Sequence, residues 1–139
     1  MTSAKSKRIL VIDPSILFFQ SLSQLFSSKK NATTLEHIVD GKAGLAAARE
    51  GHFDLIIVDV MLPRLNGFKL CQLLKFDENF LHIPVILLSE SQPNTSDTIL
   101  DDTGANLLIK KPHAPTPTFI TELDTHIHHI LFDKPKTRL

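Results

Sequence analysis

Three short apolar runs constrain this chain most: Ile9-Leu10-Val11-Ile12, Leu55-Ile56-Ile57-Val58 and Val85-Ile86-Leu87-Leu88. Each is unbroken and rich in aliphatic or β-branched side chains, the pattern of a strand covered on both faces, as in a parallel sheet. Each stops at a polar residue, Asp13, Asp59 or Ser89. The segments between them carry other signals. After Pro14-Ser15, the spacing of Phe18, Leu22, Leu25 and Phe26 predicts a helix with one apolar face, ended by Ser27-Ser28-Lys29-Lys30-Asn31. Thr34 to Val39 reads as a weaker strand near the sheet edge, with Leu35, His37 and Val39 on one side and Glu36 and Ile38 on the other. Asp40 is placed to cap the alanine-rich helix GKAGLAAARE, which Gly51 terminates.

The second half repeats the alternation. A helix over Phe68–Phe76 precedes the third apolar run. A short or mobile helix is expected from about Thr95 to Thr103, because Ile99-Leu100 is its only apolar pair and Thr, Ser and Asp are poor helix formers. Leu107-Leu108-Ile109 forms a last strand that closes on Lys110-Lys111-Pro112. Thr116 offers an N-cap with Pro117 at the first helical position, and Ile120, Leu123, Ile127, Ile130 and Leu131 give the clearest helical stripe. Pro135 ends any continuation. Strand and helix thus alternate five times, and right-handed crossovers wind such a chain into an α/β doubly wound, five-stranded parallel sheet with helices on both faces.

Composition sets outer bounds. A chain of 139 residues is most economically one domain, here 9–132, with residues 1–8 as a flexible N-terminus and 133–139 as a tail. Fifteen basic and fifteen acidic side chains leave no net field to draw in nucleic acid or a membrane surface. No apolar run approaches the roughly 20 residues of a membrane span, and the polar start argues against a signal peptide. The single cysteine, Cys71, excludes an intrachain disulfide, fits a reducing compartment and sits among Leu70 and Leu74 as a core residue would. His126, His128 and His129 include a metal-ligand spacing but lack a third ligand, so a solvated face is expected.

A parallel sheet delivers the last residue of every strand to one edge, where open α/β sheets place their sites. That edge collects Asp13, Asp59, Ser89 and Lys111. Two carboxylates, a hydroxyl and an ammonium suit a divalent cation and a phosphoryl group: oxygen ligands hold Mg²⁺, and lysine and hydroxyl donors meet phosphoryl oxygens. Taken alone, Asp59 reads equally well as a cap for the turn that follows it.

The stretch Asp59-Val60-Met61-Leu62-Pro63-Arg64-Leu65-Asn66-Gly67 resembles the phosphoacceptor motif D-x-x-(M/L)-P-x-x-(D/N)-G of response-regulator receiver domains. Gly104-Ala105 before the last strand, Lys111-Pro112 after it and Ser89 support the likeness, which runs from about Ile9 to Leu131. The resemblance implies a flavodoxin-like fold with strand order 2-1-3-4-5 in a cytoplasmic two-component phosphorelay. It implies that Asp59 accepts a phosphoryl group from a histidine kinase or phosphotransfer protein. Mg²⁺ would be held by Asp13, Asp59 and the Met61 backbone carbonyl. Ser89 and Lys111 would report the phosphoryl group to a downstream protein partner through the fourth helix, fifth strand and fifth helix, and a homodimer is a further association the resemblance allows. It further implies a signalling phosphoacceptor rather than an enzyme, with at most self-catalysed phosphotransfer and dephosphorylation, and a cis Lys111-Pro112 bond. The residues outside the likeness are too few for a DNA-binding output domain.

Four positions depart from the pattern. Pro14 replaces the second acid after the first strand, which implies weak Mg²⁺ binding. Glu90 replaces a small residue, and either crowds the phosphoryl donor or substitutes for the missing acid. Leu108 stands where an aromatic switch is expected, and His113 where a Phe is expected. These departures define the alternative reading, a phosphorylation-independent pseudo-receiver that binds partners through its surface. A flavin carrier of the same topology is disfavoured, because DPSIL lacks a phosphate cradle and the nine aromatics are all Phe.

Overall fold

The computed structural model describes residues 6–28, 32–91 and 96–133. Ten elements alternate along it: β1 (Lys7–Ile12), α1 (Ile16–Ser27), β2 (Thr33–Ile38), α2 (Gly41–Glu50), β3 (Leu55–Asp59), α3 (Gly67–Lys75), β4 (Val85–Ser89), α4 (Ser96–Thr103), β5 (Leu107–Lys110) and α5 (Pro117–Phe132). All strand pairs are parallel, in the order β2-β1-β3-β4-β5. The fold is therefore the expected flavodoxin-like one, with the weak strand at the edge.

Side-chain alternation along the strands builds two cores. Leu10, Ile12, Ile56, Val58, Val85 and Leu87 face α2, α3 and α4, where they meet Ala48, Leu70, Cys71 and Leu74. Ile9, Val11, Leu55, Ile57, Ile86 and Leu88 face α1 and α5, where they meet Phe18, Leu22, Phe26, Ile120, Leu123 and Ile127. β3 and β4 are buried at every residue, which is why their sequences carry no polar alternation. Each fully buried aliphatic chain contributes roughly 1.5–3 kcal/mol, so these central strands anchor the fold.

Helix starts follow local chemistry. Ser15, Asp40, Asn66 and Thr116 are the N-caps of α1, α2, α3 and α5, each accepting from a backbone N–H inside its helix. Asn66, which reads as a turn residue in the sequence, is thus also the cap of α3.

Some boundaries differ from expectation. Lys7 and Arg8 belong to β1 rather than to a flexible N-terminus: they pair with Thr33 and Thr34, and the Arg8 amide donates to Asp54 Oδ2 at 2.8 Å. Residues 1–5, the 29–31 part of the loop after α1, Thr95 and residues 134–139 lie outside the described residues. The Lys111-Pro112 bond is not cis, since the described residues contain no cis peptide. The trans form is the one an X-Pro bond prefers, by about 0.5–1 kcal/mol, when packing does not impose the other.

Candidate functional site

β1, β3 and the end of β5 bring three of the expected residues into direct contact. Lys111 Nζ donates to Asp13 Oδ2 at 2.7 Å and to Asp59 Oδ2 at 2.8 Å. All three are buried, Asp13 completely and Asp59 and Lys111 at 6% and 7% exposure. Burial pushes the Asp13 carboxyl above its ordinary pKa, and the Lys111 hydrogen bond only partly offsets this. For Lys111 burial works in the opposite sense, against the ammonium. The hydrogen bonds to Asp13 and Asp59 outweigh it and hold the lysine above its usual value. The ammonium also lies 4.7 Å from the centroid of the Phe18 ring, a cation–π contact from below.

The remaining carboxylate oxygens are held by local backbone. Asp13 Oδ1 accepts from the Ser15 amide at 2.8 Å, and Asp59 Oδ1 from the Met61 amide at 2.7 Å. Both are aspartate-to-i+2 contacts, the Asx-turn geometry that lets a carboxylate end a strand in a fixed direction. The cap reading of Asp59 and the site reading therefore hold together: one oxygen fixes the turn and the other faces the lysine. These two amides were not foreseen, although an Asp at a strand end before a loop is the signal for them.

The β3–α3 loop is pinned from several sides. Gly67 N donates to Val60 O at 3.0 Å, and a Cβ on Gly67 would collide with the Asp59 carbonyl oxygen. Pro63 O accepts from Gly41 N at 3.0 Å and from Leu65 N at 2.9 Å. The second bond spans the three residues around Arg64, whose φ of 72° is left-handed, a sparsely populated region for a non-glycine residue.

Ser89 is placed at the same edge and is buried, but its hydroxyl donates to the Ser91 carbonyl rather than toward the acids. Glu90 does not enter the cluster to replace the missing acid. It is exposed, and its Oε1 lies 3.0 Å from His113 Nδ1. Leu108, which stands where an aromatic switch is expected, packs against the α2–α3–α4 core. Among the described residues no group of three His, Cys, Asp or Glu is placed to hold a metal, and the α5 histidines form none: His129 pairs with Asp133 and His128 contacts Phe132. Cys71 is fully buried, with its thiol pushed up to about 11 by burial.

Comparison with known proteins covers the segment that carries this site. A family model described as the response regulator receiver domain matches residues 9–120, most of the chain. The chain belongs to the response regulator receiver family. Among its relatives, the DNA-binding response regulator MtrA of Mycolicibacterium paratuberculosis is 33% identical over 110 residues, covering 78% of this chain and 46% of that protein. The receiver domain thus spans about half the length of this curated relative. Among solved structures, the phosphorylated cyanobacterial phytochrome response regulator RcpA superposes with a TM-score of 0.82 at 19% identity, over 95% of this chain and 98% of that one. The Mn²⁺-bound form of response regulator Rcp1 gives 0.79 at 17% identity, over 96% and 99%. At these identities the likeness establishes the fold, and the membership rests on the family match and on MtrA. As a receiver domain of two-component response regulators, the chain is a signalling module rather than an enzyme in the ordinary sense.

Proposed function

We propose that Asp59 is the phosphoacceptor and takes its phosphoryl group from a phosphohistidine on a kinase or phosphotransfer protein, in the cytoplasm. The observation that carries this reading is the Asp59 carboxylate itself. It stands at the carboxyl end of β3 with one oxygen on Lys111 and the other on the Met61 amide, next to Asp13. In the transfer a carboxylate oxygen forms a bond to phosphorus as the phosphorus–nitrogen bond breaks, and the imidazole leaves.

The donor set fits Mg²⁺. Asp13, Asp59 and the Met61 carbonyl are hard oxygen donors, and this ion is commonly held by one or two carboxylates plus phosphoryl oxygens. When bound, Mg²⁺ would offset charge on the transferring phosphoryl group. Pro14 supplies no third carboxylate, so binding is expected to be weak. Lys111 is already placed to pair with a phosphoryl oxygen, exchanging one carboxylate partner for it. Ser89 must release the Ser91 carbonyl before it can donate to the same group. That rotation couples the pocket to Ser91, and through the α4, β5 and α5 face to a downstream protein.

The pseudo-receiver alternative loses ground because Asp13, Asp59 and Lys111 are all present and the lysine contacts both acids. Mass spectrometry after incubation with Mg²⁺ and a small phosphoryl donor tests the reading. One added phosphoryl group is expected on the wild type and none on Asp59→Asn. Equal labelling of both would remove Asp59 from the mechanism.

A further inference from the structure

Asp13 is the only acid that β1 contributes, and its placement depends on a residue from the edge strand. The β1–β2 pairing ends at Ile12 and Ile38, and the Asp13 amide extends it by donating to Ile38 O at 2.9 Å. A continuing parallel ladder would next give the Asp13 carbonyl the amide of Asp40. Asp40 has already turned away to cap α2. Pro14 has no N–H and cannot tighten the turn with one. The ring of His37 fills the gap, with Nε2 2.8 Å from the Asp13 carbonyl oxygen. A carbonyl only accepts, so Nε2 carries the proton in this contact. The ring stacks on Phe19 of α1, with centroids 4.4 Å apart and planes 10° from parallel, which limits its rotation.

We propose that His37 is a positioning residue for the phosphorylation pocket: held against Phe19, its Nε2–H fixes the Asp13 carbonyl and hence the carboxylate beside Asp59. Asp13 is then held at every polar atom, its amide by Ile38, its carbonyl by His37 and its two carboxylate oxygens by Ser15 and Lys111. Without the imidazole the peptide joining Asp13 to Pro14 loses its only lateral hydrogen bond among the described residues. The carboxylate can then swing away from the position where it serves a cation or a phosphoryl donor. The consequence for phosphorylation rests on the phosphoacceptor reading of Asp59; the consequence for Asp13 does not.

Two variants separate the parts. His37→Phe keeps a ring for Phe19 and removes the donor, whereas His37→Gln keeps a donor near the Nε2 position. Three measurements are made on each variant and on wild type: Mg²⁺ affinity by calorimetry, the initial rate of labelling by a small phosphoryl donor, and the Asp13 ¹³Cγ resonance by NMR. Outer-shell groups of this kind change metal affinity or activity by about tenfold or more. His37→Phe is expected to lose about that factor in affinity and rate and to shift the Asp13 resonance, with His37→Gln recovering most of both losses. His37→Phe matching wild type in all three would overturn the proposal, as would His37→Gln failing as badly as His37→Phe. If wild type neither labels nor binds detectable Mg²⁺, the phosphoacceptor reading falls. The Asp13 resonance then decides on His37 alone: a shift in His37→Phe that His37→Gln reverses supports the positioning role, and an unshifted resonance overturns it.

Discussion

Lys111→Met tests the electrostatics of the pocket. Methionine retains an apolar stem over Phe18 and removes the charge, so the two carboxylates lose their shared partner. Both acceptor oxygens lie within hydrogen-bonding reach of one nitrogen, at 2.7 and 2.8 Å. They are therefore at most about 5.5 Å apart, where two unit charges repel by about 3 kcal/mol at an effective dielectric of about 20. Burial already holds the Asp13 carboxyl above its ordinary pKa, so taking up a proton there costs less than it does for a free aspartate, and the cheaper response caps the loss at about 3 kcal/mol. A deficit of about 3 kcal/mol also matches the usual cost of breaking a buried ion pair from one side. It lowers the melting temperature by ~10 °C in a domain of this size. Nearer the ordinary aspartate pKa, one carboxyl takes up a proton at little cost and the repulsion disappears. The variant's folded-state carboxyl pKa is raised, so its stability is lost as pH rises and regained as pH falls. The deficit relative to wild type should therefore shrink as pH is lowered from 7 to 4.5. Urea unfolding followed by far-ultraviolet circular dichroism, with chelator present, measures it. A variant as stable as wild type at pH 7, or a deficit unchanged at pH 4.5, would refute the reasoning.

Other outcomes follow from the same structure. Pro14→Asp should tighten Mg²⁺ binding and destabilise the metal-free protein by adding a like charge to the pocket, as calorimetry and thermal melts in chelator would show; unchanged affinity would mean another ligand dominates. The buried Cys71 thiol stays protonated to about 11 while the unfolded thiol ionises near 9. The unfolded state therefore binds fewer protons between those values, and stability falls as pH rises through the window, by roughly 2–3 kcal/mol. Lys111 adds to the loss above its ordinary pKa of 10.5, because its folded value is raised. Cys71→Ala should flatten the decline that starts near pH 9, and an identical slope would contradict the assignment. Amides of α4, whose apolar anchors are Ile99 and Leu100, should exchange faster than those of α5, which buries Phe119, Ile120, Leu123 and Ile127. Equal protection in hydrogen-exchange measurements would show that packing overrides the weak propensity of α4.

The fold was legible because its central strands are buried on both faces, so Leu55–Val58 and Val85–Leu88 could not be amphipathic. Parallel pairing then placed Asp13, Asp59 and Lys111 together without any distance being known. What the sequence hid depends on competition between partners. Ser89 was readable by position as a hydrogen-bond donor to a phosphoryl oxygen, but the nearby Ser91 carbonyl takes its hydroxyl first. Lys7 and Arg8 look like a polar lead-in, and only pairing with Thr33 and Thr34 makes them strand. His37 reads in the sequence only as one residue of a weak strand, since neither its stack on Phe19 nor its bond to the Asp13 carbonyl has a local signature. The trans state of Lys111-Pro112 corrects an implication of the family likeness.

The proposed phosphoacceptor role requires that the phosphoryl group reside on Asp59 as an acyl phosphate. Borohydride reduces an aspartyl phosphate to homoserine and leaves a free carboxylate unchanged. Peptide mass spectrometry of the phosphorylated, reduced protein should find homoserine at position 59 and aspartate at position 13. Homoserine at another position, or at none after exposure to a competent kinase, would contradict the account.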